Sequence, residues 1–419
     1  MNAVPSQIDV ARPAGAHVAG RRDLLRPFPY PYRAMLALCS DLDETPDAGV
    51  YLETMRFLNT TRATSMGDGV GLEVGNTIYF DMPREQFAYW NTDDRGRAMV
   101  RDMIRSGHID CFHSFGDLAT TRAHCARALE ELARHDCAIR VWVDHGTAVS
   151  NFGADIMCGA GDLPGSEVYH ADLTLQAGVE YVWRGRVTSV IGQDAPRRLG
   201  GIWHAAHPLA SARTLLKEAA KGWLASAGNE KYALHASNDV LTAVRLRDGQ
   251  AALEFLRANP HWGGVSSCET AMGLGQVLTP SMLADLEARA GAMILYTHLG
   301  KVRDPRAPLP EDARAALRRL AGFQADGRIL VTTTERLLDY CRARAAVDIG
   351  LRQDAQGEHL ELDTDLPLAR LGGLSFVVRD AARATLTING QPFGQLQRHA
   401  GADGGCVSIP WRRLEFPCP

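Results

Sequence analysis

The 419-residue chain predicts an α/β protein, a parallel sheet or (β/α) barrel followed by a small all-β module. Three observations carry this. Apolar strand-like runs alternate with helical patterns up to about residue 345, as crossover helices between parallel strands require. After Ala346 the pattern changes to short alternating runs separated by turn residues. The length exceeds one minimal domain and accommodates a barrel of about 250 residues plus an accessory module.

The elements follow in order. Residues 1–30 read as a loose lead-in ending in Pro27-Phe28-Pro29-Tyr30-Pro31. Ala34 to Cys39 is an apolar strand that runs directly into Asp41-Leu42-Asp43-Glu44. Ala98 to Ser106 reads as a helix closed by Gly107. Arg122 to His135 carries Ala126, Leu129, Leu132 and Ala133 at helical spacing, and Ile139 to Val143 is the next strand. Further strands are expected at Val179–Trp183, Ala292–Tyr296 and Ile329–Thr332, with helices at Ala210–Ser226, Pro280–Ala290, Glu311–Phe323 and Thr334–Ala345. The barrel is therefore placed at residues 31–345 and the β module at 346–419. Within the module His359–Leu362, Leu374–Val378 and Ala384–Ile388 alternate, and Asn389-Gly390 marks a hairpin.

Composition excludes several classes. Hydrophobic residues make up 46% and charged residues 22%, the balance of a folded globular chain. A net charge of −4 supplies no basic field for nucleic acid, and no apolar run reaches the ~18–20 residues of a membrane span. Arg21 and Arg22 precede no apolar core, so no secretory leader is expected. Nine cysteines without a C-x-x-C pair argue against a disulfide framework or a cysteine zinc site and point to a reducing cytoplasm. The sequence sets no oligomeric state.

Reactive groups in parallel α/β folds gather at the C-terminal ends of strands. Four strands here end in titratable groups: the first in Asp41 and Asp43, the second in His113 and Asp117, the third in Asp144 and His145, and a late one in His298. Converging, they suit a divalent metal flanked by an acid and a base. Asp117 alone could equally cap the helix beginning near Thr120. The remaining histidines read as structural or solvated. Trp142, Trp183, Trp203 and Trp262 are candidate platforms for a sugar face. The proline-rich stretch Lys301–Pro310 reads as a loop over the site or a plain connector.

Strand–Asp–x–Asp, then Gly107 six residues before His113-Ser114-x-x-Asp117, then a late strand ending in His298, resembles the polysaccharide deacetylase family (the NodB homology domain) over residues 30–345. The resemblance implies a distorted (β/α) barrel of the deacetylase type. It implies Asp41 as general base, Asp43 and His113 as metal ligands, and His298 as general acid. The chain departs from the family pattern in three places. Leu42 separates the aspartates, Asp117 stands where a second metal histidine is usual, and Val141–Gly146 lacks the arginine and prolines of the third motif, with Arg140 out of register. The expected shell is thus Asp43, His113 and Asp117 around one ion, zinc first and Mn, Fe, Co or Ni after it. Trp142, Asp144 and His145 are expected on the substrate side, with a backbone N–H near His145 facing an oxyanion. The expected substrate is an N-acylated carbohydrate: an amino sugar, a nucleotide sugar or a glycan intermediate.

Two other readings stand beside it. Asp41-Leu42-Asp43-Glu44-Thr45 also resembles the start of haloacid dehalogenase-like phosphatases, which would make Asp41 a nucleophile with Mg²⁺. The altered motifs also allow a degenerate deacetylase fold that only binds carbohydrate.

Overall fold

A computed structural model describes residues 22–146, 148–401 and 404–417. The segment before Arg22 and Cys418 lie outside the described residues. The architecture is mixed α/β, with an eleven-stranded, mostly parallel sheet curled into a half-barrel. Its strands are β1 (Ala34–Ser40), β2 (Gly75–Ile78), β3 (Ile109–His113), β4 (Val141–Val143), β5 (Tyr181–Trp183), β6 (Val187–Thr188), β7 (Leu241–Arg245), β8 (Ala251–Phe255), β9 (Arg257–Ala258), β10 (Ala292–Thr297) and β11 (Ile329–Thr332). They lie in the order β6-β9-β10-β1-β2-β3-β4-β5-β8-β7, with β11 beside the first half of β1. Every ladder in this sheet is parallel except β7 against β8.

Continuous apolar runs form the central strands because both faces are covered. All seven residues of β1 are buried. Leu36 and Leu38 meet the helical layer, packing in one core with Tyr51, Met55 and Leu58 of the helix Ala48–Asn59. Asp47 starts that helix by accepting from the Val50 N–H at 2.9 Å. The alternate residues Met35, Ala37 and Cys39 point to the other face and join Cys111, Val141, Val143 and Ile294 in a second core.

That second core is continuous with the C-terminal module, which contributes Leu360, Leu374, Phe376, Leu386 and Val407. The module holds two small sheets. One pairs Asp348–Asp354, Gly357–Asp363, Thr385–Ile388 and Gln391–Pro392; the other pairs Ser375–Val378, Gly404–Ser408 and Gln397–Gly401. Asn389 and Gly390, at φ 49° and 76°, turn Thr385–Ile388 into Gln391–Pro392, as an Asn-Gly hairpin should. From Arg22 to Tyr30 the expected loose lead-in is instead packed. Leu25 bridges to Phe376, Arg26 N–H donates to the Ser375 carbonyl at 2.8 Å, and Phe28 is fully buried.

Register matters most at the strand tips. Ser40 lies opposite Thr297 and His113 opposite Val143, so the residues just beyond β1, β10, β3 and β4 emerge at one end of the sheet. The sequence reading missed β2, β6, β7, β8 and β9, and of these β2, β8 and β9 carry or lead into a site residue.

Candidate metal centre

Asp43, His113 and His145 converge so that one ligand atom from each lies within 4.8 Å of the others. His113 Nε2 is 3.2 Å and His145 Nε2 3.6 Å from Asp43 Oδ1. One carboxylate oxygen and two imidazole nitrogens are a donor set that fits a divalent transition metal and leaves positions open. His113 Nδ1 faces the Val143 carbonyl at 3.4 Å, which sets the tautomer and turns the Nε2 lone pair inward. Burial holds the His113 pKa below the usual histidine value, favouring the neutral form that ligates.

The third ligand position is where the sequence expectation needs correcting. Asp117 is not in the cluster; its Oδ1 sits 2.9 Å from His145 Nδ1, behind the ring. Backbone turns at Ser114 and Gly116, with φ 48° and 102°, carry the chain away after His113. Gly116 is required there, since a Cβ would meet the Asp81 carbonyl oxygen at 2.2 Å. The second histidine of the cluster comes from the tip of β4 instead. Burial alone would lower the His145 pKa, but Asp117 and Asp43 together push it up to about 10. A metal must displace that proton. Burial would likewise raise Asp43, yet hydrogen bonds from His113, His145 and His298 hold it well below the carboxylate range.

Around the cluster stand Asp41 and His298. His298 Nε2 is 3.3 Å from Asp43 Oδ2 and 3.9 Å from Asp41 Oδ2, while its Nδ1 faces the Glu269 carbonyl at 3.3 Å. Asp41 Oδ2 accepts from Arg257 Nη2 at 2.8 Å. Its Oδ1 is buried without a hydrogen-bond partner among the described residues. Arg257 is fully buried between the rings of Trp183 and Tyr296, 4.2 and 4.3 Å from their centroids. Arg140, the nearest arginine to the altered third motif, pairs instead with Glu180, Glu335 and Asp339.

Two residues absent from the sequence reading belong to the site. Arg257 was missed because β8 and β9 were; an arginine ending the apolar run Phe255-Leu256 was the available signal, since such a cation is buried only when paired. Tyr79, just past β2, donates its hydroxyl to Asp43 Oδ1 and stacks on His113 at 4.8 Å. Burial first, then the Asp43 carboxylate, pushes its pKa well above the ordinary value, so it remains a donor.

The substrate-side expectations do not hold for Trp142 and Asp144. Both are fully buried, and they satisfy each other through Trp142 Nε1–H to Asp144 Oδ1 at 2.8 Å. Asp144 also accepts from the Phe152 and Gly153 N–H groups, so its work is to fold the loop after β4. The His145 N–H donates to Asn151 Oδ1 at 2.9 Å and so does not face an oxyanion. Trp183 is under Arg257, and Trp262 is covered by His207, stacked at 3.7 Å. Trp203 is 52% exposed. Lys301 opens the proline-rich loop and reaches Glu44 at 3.3 Å and Asp43 at 3.8 Å, while Leu309 at its far end is buried in the core.

No family model matches the chain, and neither a curated protein nor a solved structure does.

Proposed function

We propose that the chain is a metal-dependent carbohydrate deacetylase that hydrolyses an N-acyl group from an amino sugar or glycan intermediate. The observation that carries this is the meeting of Asp43, His113 and His145 with an arginine-held aspartate on one side and His298 on the other. We further read the sheet as a barrel of the deacetylase type. Only Leu256 separates β8, which pairs with β5, from β9, which pairs with β10, so one run of chain borders both sides of the curl.

Asp43, His113 and His145 would hold the ion, zinc being the first choice for this donor set and Mn, Fe, Co or Ni the others. Bound there, a divalent cation supplies Lewis acidity to water and to an amide carbonyl. Asp41 takes the proton of the attacking water on its unpartnered Oδ1, while Arg257 fixes the carboxylate through Oδ2. His298 delivers a proton from Nε2 to the departing amine. Asp117 keeps the His145 ring turned with Nε2 inward.

Asp41 is 2% exposed and committed to Arg257, which suits a fixed base better than a phosphatase nucleophile. The Asp–His–His set supports an enzyme over a fold that only binds carbohydrate. Elemental analysis of the purified protein, with turnover of N-acetylated amino sugars, tests the proposal. One bound transition metal per chain and released acetate are expected. Hydrolysis of aryl phosphates with Mg²⁺ and none of amides would overturn it.

A further inference from the structure

The helix Pro208–Ser226 is built inside out. Toward the protein it presents Ser211, Thr214, Glu218 and Gly222, all buried. Glu218 accepts from Thr188 Oγ1 at 2.8 Å, and Thr214 Oγ1 donates to the Trp262 carbonyl at 2.9 Å. Toward solvent it presents Leu209, Leu216 and Trp223, which are 87%, 72% and 70% exposed. Seven-residue spacing aligns these three along one ridge, drifting only ~20° at each step. A surface helix of a globular protein does the reverse. Single exposed apolar residues need no explanation, but an aligned ridge above a polar buried face does.

We propose that this ridge docks onto an anionic lipid surface. Charge selects the partner. Arg213 and Lys217 are exposed beside the ridge, and among the described residues neither has a carboxylate partner. The third cation of the helix, Lys221, is held at 2.8 Å by Glu218, the helix's one carboxylate, which is buried. The solvent side therefore combines a hydrocarbon ridge with unpaired cations and no acid, as headgroup phosphates above acyl chains demand. Trp223 near the far end of the helix and Trp203 just before its start are the residue type that settles at such a boundary. No described helix is long and apolar enough to cross a membrane, so this helix would lie in the interface plane. A second copy is a poorer partner. Two such faces set together would oppose Arg213 and Lys217 of each copy with no acid on either helix's solvent side to pair them.

Flotation of the full chain with vesicles tests this independently of the catalytic reading. The wild type should float with phosphatidylcholine vesicles containing phosphatidylglycerol, less so as salt rises, and little with phosphatidylcholine alone. Leu216→Glu and Trp223→Glu should each weaken the partition by about tenfold or more, with melting temperature and metal content unchanged because both side chains lie outside the core. Arg213→Ala combined with Lys217→Ala should remove the preference for anionic vesicles. A wild type that stays unbound, binds neutral vesicles equally well, or forms a dimer that Leu216→Glu splits would overturn the proposal.

Discussion

Arg257 Nη2 donates to Asp41 Oδ2 at 2.8 Å with both side chains buried. The guanidinium lies against the rings of Trp183 and Tyr296, and burial is the largest influence acting against its charge. Asp41 first, with Cys39 and Tyr296 after it, more than offsets that influence and raises the arginine pKa above its ordinary value. Removing one partner strands the other charge in the core. Arg257→Ala should therefore lower unfolding stability by about 3–5 kcal/mol, measured by urea denaturation. Arg257→Lys should recover part of the stability without restoring the fixed geometry at Asp41. A stability change below about 1 kcal/mol in Arg257→Ala would remove the pairing argument.

The ligand assignment separates His145 from Asp117. His145→Ala, like His113→Ala, should abolish stoichiometric metal. Asp117→Asn should keep one ion per chain but weaken its affinity by about 10–100-fold, the usual effect of losing a group that orients a ligand. Competition against a chelator reads both. Equal loss of metal in the Asp117 and His145 variants would return Asp117 to the shell.

Asp41→Asn should retain the metal while turnover falls by about 10²–10⁴-fold, the range for a lost general base. Wild-type turnover in this variant would end the base assignment.

His298→Ala should slow amide substrates much more than activated aryl esters, whose leaving groups need no proton. Comparing kcat for the two substrate types measures this. Equal slowing of both would exclude an acid role.

His170 makes the stability pH-dependent. It is fully buried, with Nε2 facing the Ser150 carbonyl and Nδ1 facing Thr174 Oγ1, both at 2.8 Å. Burial lowers its pKa from 6.5 to about 4. Above pH 6.5 the ring is neutral in both folded and unfolded chains. Between 6.5 and 4 the unfolded chain binds a proton that the folded one refuses, so stability falls as pH drops, by about 3 kcal/mol in all from this residue. Denaturation at pH 7, 6 and 5 of the wild type beside His170→Gln isolates this contribution from the buried Asp110, Asp144 and Glu335 carboxyls, whose raised pKa values act the opposite way. His170→Gln is less stable at pH 7, and the gap between the two proteins should narrow as pH falls.

Much of the site was legible because strand tips display reactive groups in a recognisable order. Asp41, Asp43, His113 and His298 each follow an apolar run, and the structure brings all four together. Asp117 misled because its four-residue offset from His113 imitates ligand spacing, whereas positive-φ turns at Ser114 and Gly116 redirect it. His145 was noticed but placed on the substrate side rather than in the cluster with Asp43 and His113, since sequence order says nothing about which face of a neighbouring tip a ring will meet. Arg257 and Tyr79 were invisible for a different reason. The strand β2 is four residues long and β9 only two, too short for alternation to register, and their places are set by neighbours distant in sequence. The α/β class and the hairpin module were readable from periodicity; the degree of curl was not, because it depends on the register between strands.

The shared core described above makes the last 70 or so residues a floor rather than an appendage. Leu360, Phe376 and Val407 close over Met35, Ala37 and Ile294, from the same strands whose tips carry Asp41, Asp43 and His298. Cutting the chain at Ala346 to isolate a minimal enzyme would strip the underside of β1 and β10 and leave insoluble protein. An active fragment has to keep the stretch from Arg22 as well, since Leu25 and Phe28 pack into the same floor.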